Sequence, residues 1–259
     1  MNSQTHSTSD ARVALVTGGA RRIGRHIALA LARAGWDVAV HYKRSRDEAE
    51  QVVREIEALG RRALAVCAEL GDEAEVRGLL AQAAPLGRVS CVVNNASLFD
   101  YDDAASFGNE RLQQHMAANV GAPVLLAQAL YEITPDGSQA VVINLLDQKL
   151  YNPNPDYLSY TLSKAALHSA TTLLAQALAP RVRVVGVAPG ITMVSGDQTA
   201  DQFGKAHQVT PLGRGSTPED IAAAVCYVAT ARAVTGTTLL VDGGQHLLPL
   251  SRDVMFVAK

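Results

Sequence analysis

The chain has 259 residues, 48% of them apolar and 19% charged, and 23 basic against 25 acidic side chains leave a net charge of −2. A chain of this size buries roughly three-quarters of its unfolded surface, so its core needs no metal or disulfide. The near-neutral balance excludes a general electrostatic pull toward nucleic acid or an anionic membrane. Cys67, Cys91 and Cys226 form no Cys-x-x-Cys pair, two of them lie in apolar runs, and all three read as buried free thiols suited to a reducing cytosol.

Met1–Asp10 is polar, lacks an apolar signal core and reads as a flexible tail, leaving residues 11–259 as one domain. The run Val13–Thr17 opens that domain as a strand and enters a glycine-rich turn, after which Gly24–Ala34 has amphipathic helical spacing. The alternation then repeats without a linker: strand Val38–Tyr42 and helix Arg46–Leu59, strand Ala63–Cys67 and helix Glu73–Ala83, strand Val89–Asn94 and one long helix Asn109–Leu130. Strand Ala140–Leu145 precedes helix Tyr157–Leu178, strand Arg183–Ala188 precedes helix Pro218–Thr230, and Thr238–Val241 is the last strand. Several strands are continuous apolar runs, as parallel strands covered on both faces require. The pattern predicts an α/β fold: a single Rossmann-type, doubly wound parallel sheet of about seven strands with helices on both faces, its ligands at the carboxyl edge. Ala165–Pro180, the longest uncharged helical stretch, is too polar and too short for the about 20 apolar residues of a membrane span.

The first turn reads Thr17-Gly18-Gly19-Ala20-Arg21-Arg22-Ile23-Gly24-Arg25. Glycines at a strand-to-helix turn let backbone N–H groups approach a pyrophosphate at the helix N-terminus. The second strand ends His41-Tyr42-Lys43-Arg44-Ser45 and carries no carboxylate for a ribose 2′-hydroxyl, whereas Lys43, Arg44, Arg21 and Arg22 suit a 2′-phosphate. NADPH is therefore expected rather than NADH, with His41 able to touch the adenosine phosphate. Ser45-Arg46-Asp47-Glu48 fits a capping box for the helix that follows. His26, His115, His168, His207 and His246 are scattered without ligand spacing, so no metal site is expected.

Tyr160 and Lys164 lie four apart in a helical pattern and share a face. A cation there favours phenolate and lowers the tyrosine pKa, making Tyr160 a usable proton donor. Together with the glycine turn, Asn94-Asn95-Ala96, Asn119, Pro189-Gly190 and Val241-Asp242-Gly243-Gly244, this pair resembles the short-chain dehydrogenase/reductase family over about Val13 to Gly244. The resemblance implies that Tyr160 is the catalytic acid and that Lys164 holds the nicotinamide ribose. It also implies that Asn119 fixes a proton-relay water through its backbone, that Asn95 and Ala96 line the cofactor, and that the protein is a homotetramer paired through helices 109–130 and 157–178.

Two departures narrow the substrate. Arg22 replaces the first glycine of the usual Gly-x-Gly, and Asp147 stands where the carbonyl-polarising serine is expected, thirteen residues before Tyr160. An ionised carboxylate accepts hydrogen bonds only and would repel a developing alkoxide, so Asp147 argues against ordinary ketone reduction and suits a substrate that is itself a donor, or one reduced at C=N that needs protonation at nitrogen. This resembles the pteridine and dihydromonapterin reductases, whose catalytic set is Asp, Tyr and Lys. By that resemblance Phe99 stacks on a pterin, Ser97 bonds the pterin or a cofactor phosphate, and Tyr157 lines the substrate pocket. Glu69 stands where the family has an Asp beside adenine, and Ile191–Gln208 is expected to cover the substrate. A cytoplasmic pterin or folate reductase is the leading expectation, with a ketone or sugar reductase and a non-catalytic NADP-binding regulator as alternatives.

Overall fold

The computed structural model describes residues 12–194, 203–204, 207, 210–253 and 256. The expected tail at 1–10 lies outside these residues, as does most of the expected covering loop at 191–208. Seven parallel strands form one sheet: β1 (Val13–Val16), β2 (Asp37–Tyr42), β3 (Ala63–Cys67), β4 (Val89–Asn94), β5 (Ala140–Leu145), β6 (Val182–Pro189) and β7 (Thr238–Val241). Their spatial order is β3-β2-β1-β4-β5-β6-β7, so the winding reverses between β1 and β4 and opens a crevice at their carboxyl ends.

Successive side chains of a strand point to opposite faces, and the core follows that period. Ala14, Val16, Val141, Ile143, Val185 and Val187 join one buried cluster, under helices α1 (Arg22–Arg33) and α2 (Arg46–Ala58) and the helix that precedes β7. Val13, Leu15, Ala140, Val142, Val182 and Val184 join the other, which includes α3 (Glu73–Ala83). Both faces are therefore apolar and the strands need not alternate polar with apolar. Cys91 is buried as expected, but Cys67 ends the edge strand β3 and is exposed.

The single helix expected over Asn109–Leu130 is divided. α4 (Asn109–Met116) passes through a π turn at Ala117–Gly121 into α5 (Ala122–Ile133). The sequence contains the cause: Pro123 has no N–H to give the carbonyl four residues back, which belongs to Asn119, and the helix widens there. α6 spans Leu158–Ala177 and α7 spans Pro218–Thr230. The capping box expected at Ser45 is not formed, since Ser45 makes no side-chain cap and Glu48 faces Arg21 at 3.8 Å. A capping box does form at α7, between Thr217 and Asp220. No helix among the described residues is long and apolar enough to cross a membrane.

Candidate active site

The turn after β1 is built from neutral hydrogen bonds. Gly18 has φ +60, a conformation open to glycine, and its N–H donates to His41 Nδ1 at 3.0 Å. His41 Nε2 lies 3.1 Å from the Ala68 carbonyl, so the ring is the neutral Nε2–H tautomer and is used at both ends. Burial lowers its pKa. This corrects the expectation that His41 reaches an adenosine phosphate: the ring is 2% exposed and pins the turn from beneath. Thr17 Oγ1 accepts from the backbone N–H groups of Asn95 and Ala96, both at 3.0 Å, and Asn95 Nδ2 donates to Thr17 O at 2.9 Å. Asn95 thus braces the turn while lining the cleft.

A Cβ on Gly24 would run into the Gly18 carbonyl and stand 2.6 Å from Asn95 Nδ2, which explains why glycine opens α1. Arg22 sits at φ +50, strained for a residue with a side chain, and its Nη2 donates to Val194 O at 2.9 Å. At the rim, Lys43 pairs with Glu69 and Arg21 with Glu48, while Arg44 is exposed and Tyr42 and Ser45 support the strand end. Across the cleft, Pro189 and Gly190 form the opposite lip, and a Cβ on Gly190 would lie 2.8 Å from Asp242 Cα. Backbone approach at Gly18, Gly24 and Gly190 and cations at the end of β2 fit a dinucleotide carrying an extra phosphate.

The other half of the cleft is charged. Asp147, at the end of β5, accepts from the Tyr160 hydroxyl through Oδ2 at 2.7 Å and from Lys149 N through Oδ1 at 2.8 Å. Loss of water around this carboxyl raises its pKa above the ordinary value despite those donors. The Lys164 ammonium donates to Leu145 O at 2.7 Å, and burial pushes its pKa down to about 8. The expectation that Lys164 lowers the Tyr160 pKa is corrected here. Burial first, and Asp147 second, hold the phenol well above its ordinary value.

α6 carries Tyr160 and Lys164 and is tied down at several points. Asp102 receives Ser159 N at 2.9 Å and the Ser159 hydroxyl, capping a helix whose preceding residue, Tyr157, is left-handed at φ +55. Asn119, within the π turn, donates to Ser163 Oγ at 3.0 Å, and Ser163 donates to Tyr160 O at 2.6 Å. Asn94, Asn144 and Thr171 chain β4 to β5 to α6 at 2.8 and 3.0 Å.

Between the halves lies a cleft of about 440 Å³, lined by Ile23, Ser97, Phe99, Asp147, Tyr160, Lys164 and Gly190 among others. Its size is that of a small-molecule site. Phe99 stacks on Tyr157, with centroids 4.2 Å apart, and meets Tyr160 edge-on at 4.7 Å. Tyr157 is 6% exposed and backs Phe99 from behind, which corrects its expected place in the pocket wall.

A family model described as enoyl-(acyl carrier protein) reductase matches residues 18–246. The chain belongs to the short-chain dehydrogenase/reductase family. A solved structure of FolM alternative dihydrofolate reductase 1 from Brucella canis, complexed with NADP, is 40% identical with TM-score 0.89 and covers 96% of this chain and 99% of that one. The reductase LugOII, which catalyses keto-reduction at C1 during lugdunomycin biosynthesis, is 33% identical with TM-score 0.83, over 93% and 100% of the two chains. An L-rhamnose 1-dehydrogenase (NAD(P)(+)) of Sphingomonas sp. strain SKA58 is 32% identical over 92% of this chain and 97% of its own.

In this short-chain reductase the sequence reading missed the residues that bring the C-terminal segment to the cleft. Arg252 grips buried Asp156 with bonds of 2.7–3.0 Å, and Asp253 pairs with the buried Lys149 ammonium at 3.2 Å. Phe256 meets Tyr101 at 5.6 Å. Asp253 and Leu250 thereby line the cleft. No local motif marks these pairs, which join residues 96 and 104 positions apart in the two ion pairs and farther still in the aromatic one. The capping residue Asp102 was missed for the same reason.

Proposed function

We propose that this oxidoreductase is an NADPH-dependent reductase of pterins, reducing a dihydropterin such as dihydrobiopterin or dihydromonapterin, with dihydrofolate as a further candidate. The observation that carries the reading is the 2.7 Å bond that couples the Tyr160 hydroxyl to the carboxyl group of Asp147, a proton-exchanging pair set in the wall of the cleft. The likeness to a FolM structure supports it. NADPH, when bound, supplies the hydride for the ring carbon of the C=N bond. Gly18, Gly24 and Gly190 admit its backbone, Lys43, Arg44 and Arg21 attract its 2′-phosphate, Asn95, Ala96 and Ser97 flank it, and Arg22, expected among the phosphate cations, instead bridges the cleft to Val194.

Tyr160 delivers the proton to the ring nitrogen. Because phenolate is disfavoured at this tyrosine, the proton must be replaced as it leaves, and Asp147, whose raised pKa keeps it able to hold a proton, supplies it. Before transfer the protonated Asp147 donates to the Tyr160 oxygen; afterwards Tyr160 is neutral, Asp147 is ionised, and Tyr160 donates to it in the direction seen in the structure. Lys164, close to Asp147, stabilises the carboxylate so formed. Phe99 offers an aromatic surface for a flat heterocycle. Asn119 positions α6 through Ser163 and a relay water through its backbone.

The same reading takes residues 11–259 as one cytoplasmic domain and the protein as a homotetramer. Leu162 and Leu173 on α6 and Ile133 on α5, all exposed, support pairing through these helices. A second reading, reduction of a ketone or sugar, is favoured by the likeness to LugOII and the rhamnose dehydrogenase. The two separate in one assay that follows NADPH oxidation with dihydrobiopterin, dihydromonapterin, dihydrofolate and a panel of ketones and sugars, with NADH in parallel. Fast NADPH-dependent dihydropterin turnover is expected; ketone turnover with none on pterins would replace this reading by the second.

A further inference from the structure

We propose that Arg252 and Asp253 are positioning residues that clasp the C-terminal segment into the wall of the cleft, so that substrate affinity depends on them although neither moves a proton. The inference rests on the reading of the cleft as the substrate site and names what fixes its wall. The segment lands on residues 148–157, the loop that joins Asp147 to α6 and hence to Tyr160. Arg252 meets Asp156 through Nε at 3.0 and 2.9 Å and through Nη2 at 2.7 Å, and the Asp253 backbone N–H donates to the same carboxylate at 2.7 Å. The Lys149 ammonium donates to the Asp253 carboxylate at 3.2 Å and to Asp156 O at 2.5 Å. Asn152 adds a bond to Leu248 O.

Asp156 and Lys149 are 2% and 3% exposed, and a buried charge is stable only with its partner in place. The planar guanidinium of Arg252, bonded to both oxygens of Asp156, fixes direction as well as distance. The clasp has two consequences in the cleft. It sets Leu250 and Asp253 in the same lining as Asp147 and Tyr160. It also brings Phe256 to the rings of Tyr101 and Tyr157, at 5.6 and 6.4 Å, and Tyr157 in turn stacks on Phe99. Phe99 lies in residues 95–103, a stretch with neither helix nor strand, so its ring depends on packing from outside that stretch. Tyr160 and Asp147, by contrast, are held by α6 and by the end of β5. Loss of the clasp should therefore loosen the wall and spare the chemistry.

The test is steady-state kinetics on the full-length protein, with dihydrobiopterin as substrate and NADPH saturating. Arg252→Ala is expected to raise the KM for dihydrobiopterin by about tenfold while kcat stays within about threefold of wild type, because a displaced wall weakens binding without removing the proton donors. NADPH affinity, by fluorescence titration, should not change. Arg252→Lys keeps the charge without the paired bonds and should fall between Arg252→Ala and wild type. Asp253→Asn, nearly the same in shape, should raise KM by a smaller factor. Unaltered KM in both Arg252→Ala and Asp253→Asn would overturn the inference. So would losses of kcat and NADPH affinity that follow a lowered Tm, the signature of general loosening. If wild type leaves dihydrobiopterin untouched, the same variants are measured with the ketone or sugar that it reduces. A KM rise there keeps this inference and removes the pterin reading, whereas dihydrobiopterin turnover with a KM indifferent to the clasp does the reverse. A wild type that reduces neither class overturns both.

Discussion

Around the first turn, Thr17, His41 and Asn95 satisfy backbone groups with neutral hydrogen bonds, whereas around the start of α6 the protein gathers Asp147, Lys149, Asp156, Lys164 and Asp253. The first arrangement is a frame. Its partners hold one protonation state across the working pH range, and the glycines leave backbone exposed for a ligand's phosphates. The second arrangement responds to its surroundings, since removal of water moves the proton affinities of Asp147 up and Lys164 down. A cofactor needs a fixed cradle, while proton transfer needs groups whose charge can change during turnover.

If this division holds, changes on the charged side should alter turnover without altering cofactor affinity. Tyr160→Phe removes the proton donor and should lower dihydropterin kcat by roughly 10²–10⁴-fold. NADPH affinity, measured by fluorescence titration, should stay at the wild-type value, and a parallel loss of both would break the comparison. Asp147→Asn should lower kcat/KM by about a hundredfold, with a diagnostic pH profile. In the proposed relay Asp147 acts in its protonated form, so wild-type kcat/KM should be held below its raised pKa and lost as pH climbs through it. The variant should lack that limb. The same sign applies to stability: with the folded pKa above the unfolded one, the Asp147 contribution is full below the unfolded value and lost as pH rises through the folded one. Asp147→Asn should therefore raise the Tm at neutral pH, by calorimetry.

On the frame side the effects should be smaller and of another kind. Replacing Lys43 and Arg44 together with Ala should cut the preference for NADPH over NADH by about tenfold or more, read from the ratio of kcat/KM values. NADH kinetics should change little, because neither side chain faces the cleft's proton-transfer groups. His41→Leu strands the Gly18 N–H and the Ala68 carbonyl and should lower stability by on the order of 1 kcal/mol while kcat at saturating NADPH persists. Loss of kcat in this variant would show that the turn also sets the chemistry.

The frame was largely legible in the sequence because its signals are local. Gly18, Gly24 and the cations after β2 sit within a few residues of the strand ends they serve, and all seven strands were placed to within a residue or so. The break of the long helix was also readable in principle, since Pro123 withholds its N–H from Asn119. The charged half was legible only in its core of Asp147, Tyr160 and Lys164. What surrounds that core depends on tertiary pairing: Asp102 reaches Ser159 across 57 positions and Asp253 reaches Lys149 across 104. The sequence points His41 at phosphate because Lys43 and Arg44 follow it, whereas β2 is covered on both faces and buries His41 with every other residue of the strand.

Arg22 adopts a backbone conformation that glycine would take freely, at a penalty of roughly 1–2 kcal/mol for a residue with a side chain. In exchange its guanidinium joins the first turn to Val194, on the far lip of the cleft. Every arginine codon lies one base from a glycine codon. A single point mutation therefore trades this bridge for a relaxed turn, so the linkage between the two lips is one nucleotide away from being dissolved in any diverging copy of the gene.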